Sequence, residues 1–412
     1  MNFLPRRTAL VLFLAFAIAY FFSALLRGIT ATLAPVLTAD FALNSRDLGL
    51  LAGGYFLGFA IMQLPLGQWL DRHGPKKVLV YFAGAAVLGC VAFSLATGFA
   101  ELLAARVLCG VGVSACLMAP LTAFRRWLEP MQQLRANSWM LMTGSLGMVA
   151  ATLPVQWLMP VVGWRPLFWG LALLIALSSL LIAWQVPAWG AVEAGEEADA
   201  PRAGYADVWR HPYFRRMMPI GFFNYGGMVA MQTLWAGPWM IQVTGNTPLQ
   251  AATGLFFINV AMLCTFWSWG MLTPWLMRRR LLQVDRLIAW GLPLSFAVLA
   301  MIIVAGEKAG AGAWAVFCVS CTFVSLAQPA VGMAFPAPLA GRALSAYNLV
   351  LFAGVFMVQW GIGLAVDAFA AAGLSTVGAF QAAMSVFLVL SMASYAWFLL
   401  ARSHNQAAHA PS

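Results

Sequence analysis

Long apolar runs separated by short polar turns dominate this chain. About a dozen runs hold roughly 18 or more mainly apolar residues, which is enough for a helix to cross a bilayer. A helix satisfies its own backbone hydrogen bonds in hydrocarbon, so we predict twelve helical spans. They cover residues 9–34, 48–70, 78–97, 102–124, 136–159, 166–186, 218–243, 249–277, 287–305, 313–334, 345–370 and 379–401.

The two halves of the chain resemble each other. Three sets of residues recur at offsets of 203 to 209 positions, which indicates a duplicated six-helix unit. The sets are Arg135 to Ser138 with Arg342 to Ser345, Pro120 with Pro329, and Gly67 and Lys76-Lys77 with Gly270 and Arg279-Arg280. We therefore predict a six-helix bundle over residues 1–186, a cytoplasmic linker over 187–216, a second bundle over 217–402 and a polar tail over 403–412.

Composition and charge narrow the class of protein. The chain is 62% hydrophobic and only 9% charged, with a mean hydropathy of +0.84. A soluble domain carries about 25% charged residues, so this chain is predicted to lie in a lipid bilayer. Most of its Lys and Arg residues fall in alternate loops, which places both termini in the cytoplasm. We expect the protein to lie in a plasma membrane, the inner membrane of a bacterium. The net charge of +10 does not indicate nucleic acid binding.

Candidate catalytic chemistry is missing from the predicted spans. No nucleophile, acid–base pair or group of metal-ligating residues converges there. The spacing Cys318-x-x-Cys321 lies in an apolar run, where cysteines serve as small packing residues. We predict that the chain is not an enzyme and has no catalytic residue, metal site or cofactor.

The turn after the second run carries the most specific pattern, G-x-x-x-D-R-x-G-x-K-K over residues 67–77. Positive charge at a cytoplasmic turn explains the two lysines alone, but not the acid at the helix end. The pattern resembles the loop between helices 2 and 3 of the major facilitator superfamily. Arg106-x-x-x-Gly110-x-Gly112 resembles a second motif of that family, although Arg106 is also placed to snorkel to the headgroups.

The resemblance implies an all-α integral membrane protein with twelve transmembrane helices in two six-helix bundles. It implies one solute site near the midplane, opened alternately to each side. In that family the aspartate acts as a latch at the N-terminal end of helix 11, where the partial positive charge favours it. The implied conformational-gating residues are Gly67, Asp71, Arg72, Gly74, Lys76, Lys77 and Arg106.

Arg27 is the single most informative residue, because it lies deep in the first predicted span. An arginine at the centre of a membrane helix costs about 2.5–3.5 kcal/mol on insertion scales. It persists where the cation faces a cavity, and its planar fork suits a carboxylate or a phosphate. The alternative is a structural partner for helix-end carbonyls.

The stretch from Arg27 to Pro35 resembles helix 1 of the organophosphate and sugar-phosphate permeases, in which the arginine holds the anion of the substrate. Those permeases add a second arginine from helix 7, which residues 230–238 lack. A monoanionic carboxylate therefore suits the single cation better than a phosphate. The predicted substrate-binding residues are Arg27, Gln232, Trp235 and Gln359.

We predict a monomeric secondary active or facilitative transporter of a small, anionic organic solute that works by alternating access. Two alternatives stay open: a permease-like sensor without flux, and an exporter of apolar compounds. Among the carboxylates only Asp367 falls inside a predicted span, so proton coupling would depend on it. Otherwise exchange or facilitated transport is favoured.

Overall fold

The computed structural model describes residues 4–189, 204–278 and 284–407, and these residues form helices and no β-strand. The acidic part of the predicted linker, the Arg279-Arg280 turn and the end of the tail lie outside the described residues. The helices are α1 (Arg6–Phe41), α2 (Ser45–Ile61), α3 (Gln63–Leu95), α4 (Phe99–Val113), α5 (Ala115–Trp127), α6 (Pro130–Ala150), α7 (Leu153–Val162), α8 (Trp164–Gln185), α9 (Tyr205–Arg210), α10 (Pro212–Ile220), α11 (Gly226–Ala230), α12 (Ala236–Gln242), α13 (Pro248–Arg278), α14 (Val284–Ala305), α15 (Ala311–Cys321), α16 (Ala327–Met333), α17 (Ala337–Ala371) and α18 (Thr376–Ala407).

These helices correspond to the twelve predicted spans. Within the described ranges, nine segments are long and apolar enough to cross a membrane, and α6 with α7 makes a tenth that is bent by 44°. The second span is α2 continued into α3, because Met62 between them keeps helical dihedral angles (φ −78°, ψ −13°). The seventh span runs from α10 to α12. The chain is therefore a multi-pass, all-α membrane protein, as predicted.

Many helices extend beyond the predicted apolar runs. α1 covers 36 residues from Arg6 to Phe41, about 54 Å, whereas the apolar run predicted only 9–34. α17 begins at Ala337, eight residues before its predicted start. The difference has a simple cause, since a helix continues into the polar layer on either side of the hydrocarbon, where hydropathy no longer marks it.

Two spans depart from regular α-helix. The bend between α6 and α7 lies at Thr152 (φ −102°, ψ −112°), and Pro154 just after it has no N–H to continue the helix ladder. The seventh span contains π-helical turns over Gly221–Tyr225 and Met231–Trp235. Such turns occur often at functional sites, because they redirect side chains from the regular helical face.

The predicted halves meet most extensively along α2 and α17. Phe352 on α17 packs against Phe56 and Phe59 on α2, with ring centroids 6.3 Å and 4.3 Å apart. Further contacts join α1 to the seventh span and α13 to α6 and α7. The helix that carries Arg27, α1, therefore takes part in the contact between the two predicted halves.

The helices run between two ends of the protein. We name one the basic end, defined by Gly74, Trp127 and Trp189, and the other the far end, defined by Ala42, Gly163 and Gly373. At the basic end Leu4 N donates to Trp127 O at 3.0 Å, so the start of the chain is fixed to the end of α5.

Candidate functional site

Arg27 lies on α1 about 20 Å from the helix end at Phe41, and it is partly exposed although its neighbours on the helix are buried. Its guanidinium carbon is 5.7 Å from the ring centroid of Phe59 and 5.9 Å from that of Phe352. Its Nε is buried and has no hydrogen-bond partner among the described residues. The side chain therefore faces the junction between the two halves and not the lipid.

Three tyrosines complete the surroundings of this cation. Tyr20 and Tyr55 lie within hydrogen-bonding reach of the guanidinium, and Tyr225, at the end of the first π-helical turn, lies near it. We call the five rings the aromatic lining. It consists of Tyr20, Tyr55, Phe59, Tyr225 and Phe352. Its members come from the first, second, seventh and eleventh spans, so both halves contribute.

A second arginine lies directly behind the lining. Arg106 on α4 is 1% exposed, so it does not snorkel to the surface, and its Nη1 donates to Leu26 O at 3.1 Å. Its guanidinium carbon is 5.1 Å from the Tyr55 ring, which therefore lies between the two cations. Its Nε and Nη2 are buried without a hydrogen-bond partner in the described part of the chain.

No described carboxylate contacts either Arg27 or Arg106. A buried charge is costly unless it is paired or fully hydrogen-bonded. Two guanidinium groups around one tyrosine thus leave local positive charge without compensation from the chain. An anion bound against the partly exposed Arg27 would compensate this charge. The planar donors of the guanidinium suit a carboxylate.

The other three predicted substrate-binding residues have hydrogen-bond partners of their own. Trp235 is fully buried and its Nε1 donates to Gln359 O at 3.1 Å, while Gln359 Nε2 donates to Thr233 Oγ1 at 2.9 Å. Gln232 is half-buried and donates to Asn259 Oδ1 at 2.9 Å. The structure brings Trp235 and Gln359 together, about two turns of α17 beyond Phe352 toward the far end.

The predicted gating loop lies at the basic end, with Arg72 and Lys77 exposed. Gly67 faces Ser345 in the first turns of α17, and a Cβ built on it would lie 3.8 Å from Ser345 Oγ, an ordinary contact. The end of the second span thus lies beside the N-terminal part of α17. Asp71 follows one turn after Gly67 and is exposed.

Substituting Asp71 by asparagine is expected to keep the protein folded and to change the rate of transport. The carboxylate is replaced by a neutral amide of the same shape, so its interaction with the helix end weakens by about 0.3–1 kcal/mol. Initial uptake rates of purified protein in liposomes measure the effect. Unchanged kinetics would remove the latch role. Glu129→Gln, the same exchange at an exposed carboxylate of the basic end outside the gating loop, serves as the matched control.

Gly74 ends the second span with a conformation reserved for glycine. Its φ of 78° and ψ of 163° interrupt α3, and a Cβ there would overlap the Trp189 side chain. The Arg126 guanidinium lies 4.3 Å from the Trp189 ring, and Trp127 packs edge-on at 5.8 Å. The turn is thus covered by the first residues after α8, a contact that the sequence did not indicate.

The sequence offered a signal for part of the aromatic lining. Tyr20 precedes Arg27 by seven residues, and Tyr55 precedes Phe59 by four, so each pair shares a helix face. Tyr225 and Phe352 gave no such signal, because only the packing of the second half against α1 and α2 brings them to Arg27.

Comparisons with known proteins identify the family of this chain. A family model described as Major Facilitator Superfamily matches residues 16–358. A probable 4-methylmuconolactone transporter of Cupriavidus pinatubonensis is 28% identical over 65% of this chain and 63% of its own length. The 4-hydroxybenzoate transporter PcaK of Pseudomonas aeruginosa is 30% identical over 38% of this chain and 35% of its own length. The chain thus matches less than two thirds of the length of these curated relatives.

Similarity to solved structures supports the fold of this chain. A bacterial homologue of the human lysosomal transporter Spinster, crystallised in an inward-facing and unoccupied conformation, superposes with a TM-score of 0.77 at 16% identity, over 96% of this chain and 97% of that one. The relatives are named as transporters, in agreement with the expectation that this chain is not an enzyme. From the family match over most of its length, the chain belongs to the Major Facilitator Superfamily.

Proposed function

We propose that the protein is a transporter of a small organic solute that carries a carboxylate and an aromatic ring. Arg27 binds the carboxylate and the aromatic lining holds the ring. The two halves rock about this site, which opens alternately to each side of the membrane. The basic end faces the cytoplasm of a bacterial cell, and the protein works as a monomer.

One observation carries the proposal: a partly exposed guanidinium at the junction of the halves, with no carboxylate from the described residues against it. Arg106 behind Tyr55 adds a second positive charge. An arginine kept at this depth only to satisfy backbone carbonyls would donate to them, as Arg106 does to Leu26. The Nε of Arg27 makes no such bond.

The aromatic lining supports the second half of the proposal. Aromatic pairs gain about 0.5–1.5 kcal/mol beyond the burial of their area, so five rings around a cation favour a flat, aromatic anion. One of the relatives is named for the transport of 4-hydroxybenzoate, an aromatic carboxylate. Trp235 and Gln359 remain proposed neutral contacts, reached when the far end opens.

Competition for uptake tests the proposed solute. Purified protein in liposomes is expected to take up radiolabelled 4-hydroxybenzoate, with saturation that protein-free liposomes lack. Unlabelled benzoate should compete, because it keeps the ring and the charge. Cyclohexanecarboxylate should compete about fivefold less well, since it loses ring stacking worth roughly 1 kcal/mol. Benzyl alcohol should not compete.

The outcomes separate the alternatives. Equal competition by benzyl alcohol would show that the anion is not recognised and would favour an exporter of apolar compounds. Binding of 4-hydroxybenzoate in a thermal-shift assay without any flux would favour a sensor. If several aliphatic carboxylates are taken up as fast as 4-hydroxybenzoate, the aromatic lining has no role in recognition, whereas the role of Arg27 stands.

A further inference from the structure

Asp367 lies at the far end of α17 and contacts the first turn of α2. Its Oδ1 accepts a hydrogen bond from Ser45 N at 3.1 Å, and its Oδ2 accepts one from Arg46 N at 2.8 Å. The first backbone N–H groups of a helix have no partner within the helix, and they carry its partial positive charge. A carboxylate from the second half thus caps a helix of the first half.

The remainder of this helix start is satisfied locally. Asn44 precedes α2 and its side chain accepts from Asp47 N at 2.8 Å, while Leu48 N donates to Asn44 O at 3.0 Å. The two groups that depend on another part of the protein are therefore the N–H groups of Ser45 and Arg46. Only these two lose their partner if the halves separate here.

The backbones around this cap are in close contact. A Cβ on Gly363, one turn before Asp367, would overlap the Ser45 carbonyl. A Cβ on Gly49 would overlap the Gln359 carbonyl and lie 3.3 Å from Trp235. The far end is thus closed along α2 and α17, and the cap belongs to this closed arrangement.

We propose that Asp367 is a latch that holds the far end of the transporter closed. The proposal rests on the alternating access proposed above, because only a protein that opens at this end has two states to bias. When α2 and α17 separate, water must replace the carboxylate at the N–H groups of Ser45 and Arg46. Hydrogen bonds to an ionised group are stronger than those between neutral groups, so the exchange favours the closed state.

Distance measurements between spin labels test the latch without any solute. Val161 in the first half and Ala372 in the second are both exposed at the far end, so Val161→Cys and Ala372→Cys report its width. Cys264, the exposed native cysteine, is replaced by serine, since the other five are buried. Pulsed electron–electron double resonance in lipid nanodiscs then gives the populations of short and long distances.

Asp367→Ala is expected to raise the ratio of long to short distances about tenfold, because two charge-assisted hydrogen bonds are lost. Glu101→Ala is the matched control. Glu101 also lies at the far end, and its Oε2 accepts from Thr97 N at 2.6 Å, but both groups belong to the first half. A ratio that changes no more in Asp367→Ala than in Glu101→Ala would overturn the latch.

Asp367→Asn covers the case in which the alanine variant does not fold. Asparagine keeps one acceptor and turns an amide donor toward the other N–H, so a smaller rise in the ratio of long to short distances is expected. An unchanged ratio would again overturn the latch. A single distance in wild type, both alone and with 4-hydroxybenzoate, would instead remove alternating access, and the latch with it. Two distances in wild type with no effect of Asp367 would remove the latch alone.

Discussion

Replacing Arg27 by lysine is expected to lower the uptake of 4-hydroxybenzoate about 100-fold while leaving the protein folded. Lysine keeps the charge but presents a compact ammonium in place of a planar fork with fixed donors, so a bidentate grip on a carboxylate is lost. Hydrogen bonds to charged groups contribute about 1.5–3 kcal/mol, and 2.7 kcal/mol corresponds to 100-fold. Initial rates in liposomes give the loss, and thermal unfolding in detergent reports the fold.

The same exchange at an exposed arginine provides the control for this variant. Arg215 lies on α10 at the surface, so Arg215→Lys should keep the uptake rate. Wild-type uptake in Arg27→Lys would show that the guanidinium does not bind the solute. A loss of folded protein in Arg27→Lys, with normal folding in Arg215→Lys, would assign Arg27 a structural role instead.

Apolar runs were sufficient to predict the membrane helices, because the bilayer requires a minimum length of apolar helix and the twelve runs meet it. Arg27 could also be found from the sequence, since its cost at mid-membrane sets it apart from every neighbour on α1. Its surroundings could not be predicted. Tyr225 and Phe352 reach Arg27 only through the packing of the second half, and a π-helical turn changes the helix face at Tyr225.

The predicted partners on the seventh and eleventh spans show the same limit. Trp235 and Gln359 are polar groups inside apolar runs, which indicated a solute contact. In the structure Trp235 donates to the backbone carbonyl of Gln359, and both residues pack against Gly49, where α2 and α17 close the far end. Asp367 is a similar case, because the sequence marked it only as an acid within a span. Its cap on α2 depends on a contact between residues more than 300 positions apart.

Substituting Gly74 by alanine is expected to destabilise the protein more than a glycine-to-alanine substitution at any of its other turns. The φ of 78° and ψ of 163° lie in a region that only glycine adopts readily, and strain of this kind costs about 1–3 kcal/mol. The added Cβ also overlaps the Trp189 side chain, and forced overpacking costs about 1–3 kcal/mol more. Thermal unfolding in detergent and the yield of folded protein measure the sum.

Gly163 separates the two causes, because it has nearly the same backbone conformation (φ 77°, ψ 165°) at the far end. A Cβ on Gly163 would lie 4.0 Å from its nearest neighbour, Pro166, so Gly163→Ala introduces the strain without the overlap. We expect Gly74→Ala to lower the unfolding temperature about twice as much as Gly163→Ala. In a Trp189→Ala background the cost of Gly74→Ala should fall to that of Gly163→Ala, since residues in contact do not contribute independently. An equal cost with and without Trp189 would show that the residues after α8 do not hold the turn at the basic end, and the gating loop would then depend on backbone strain alone.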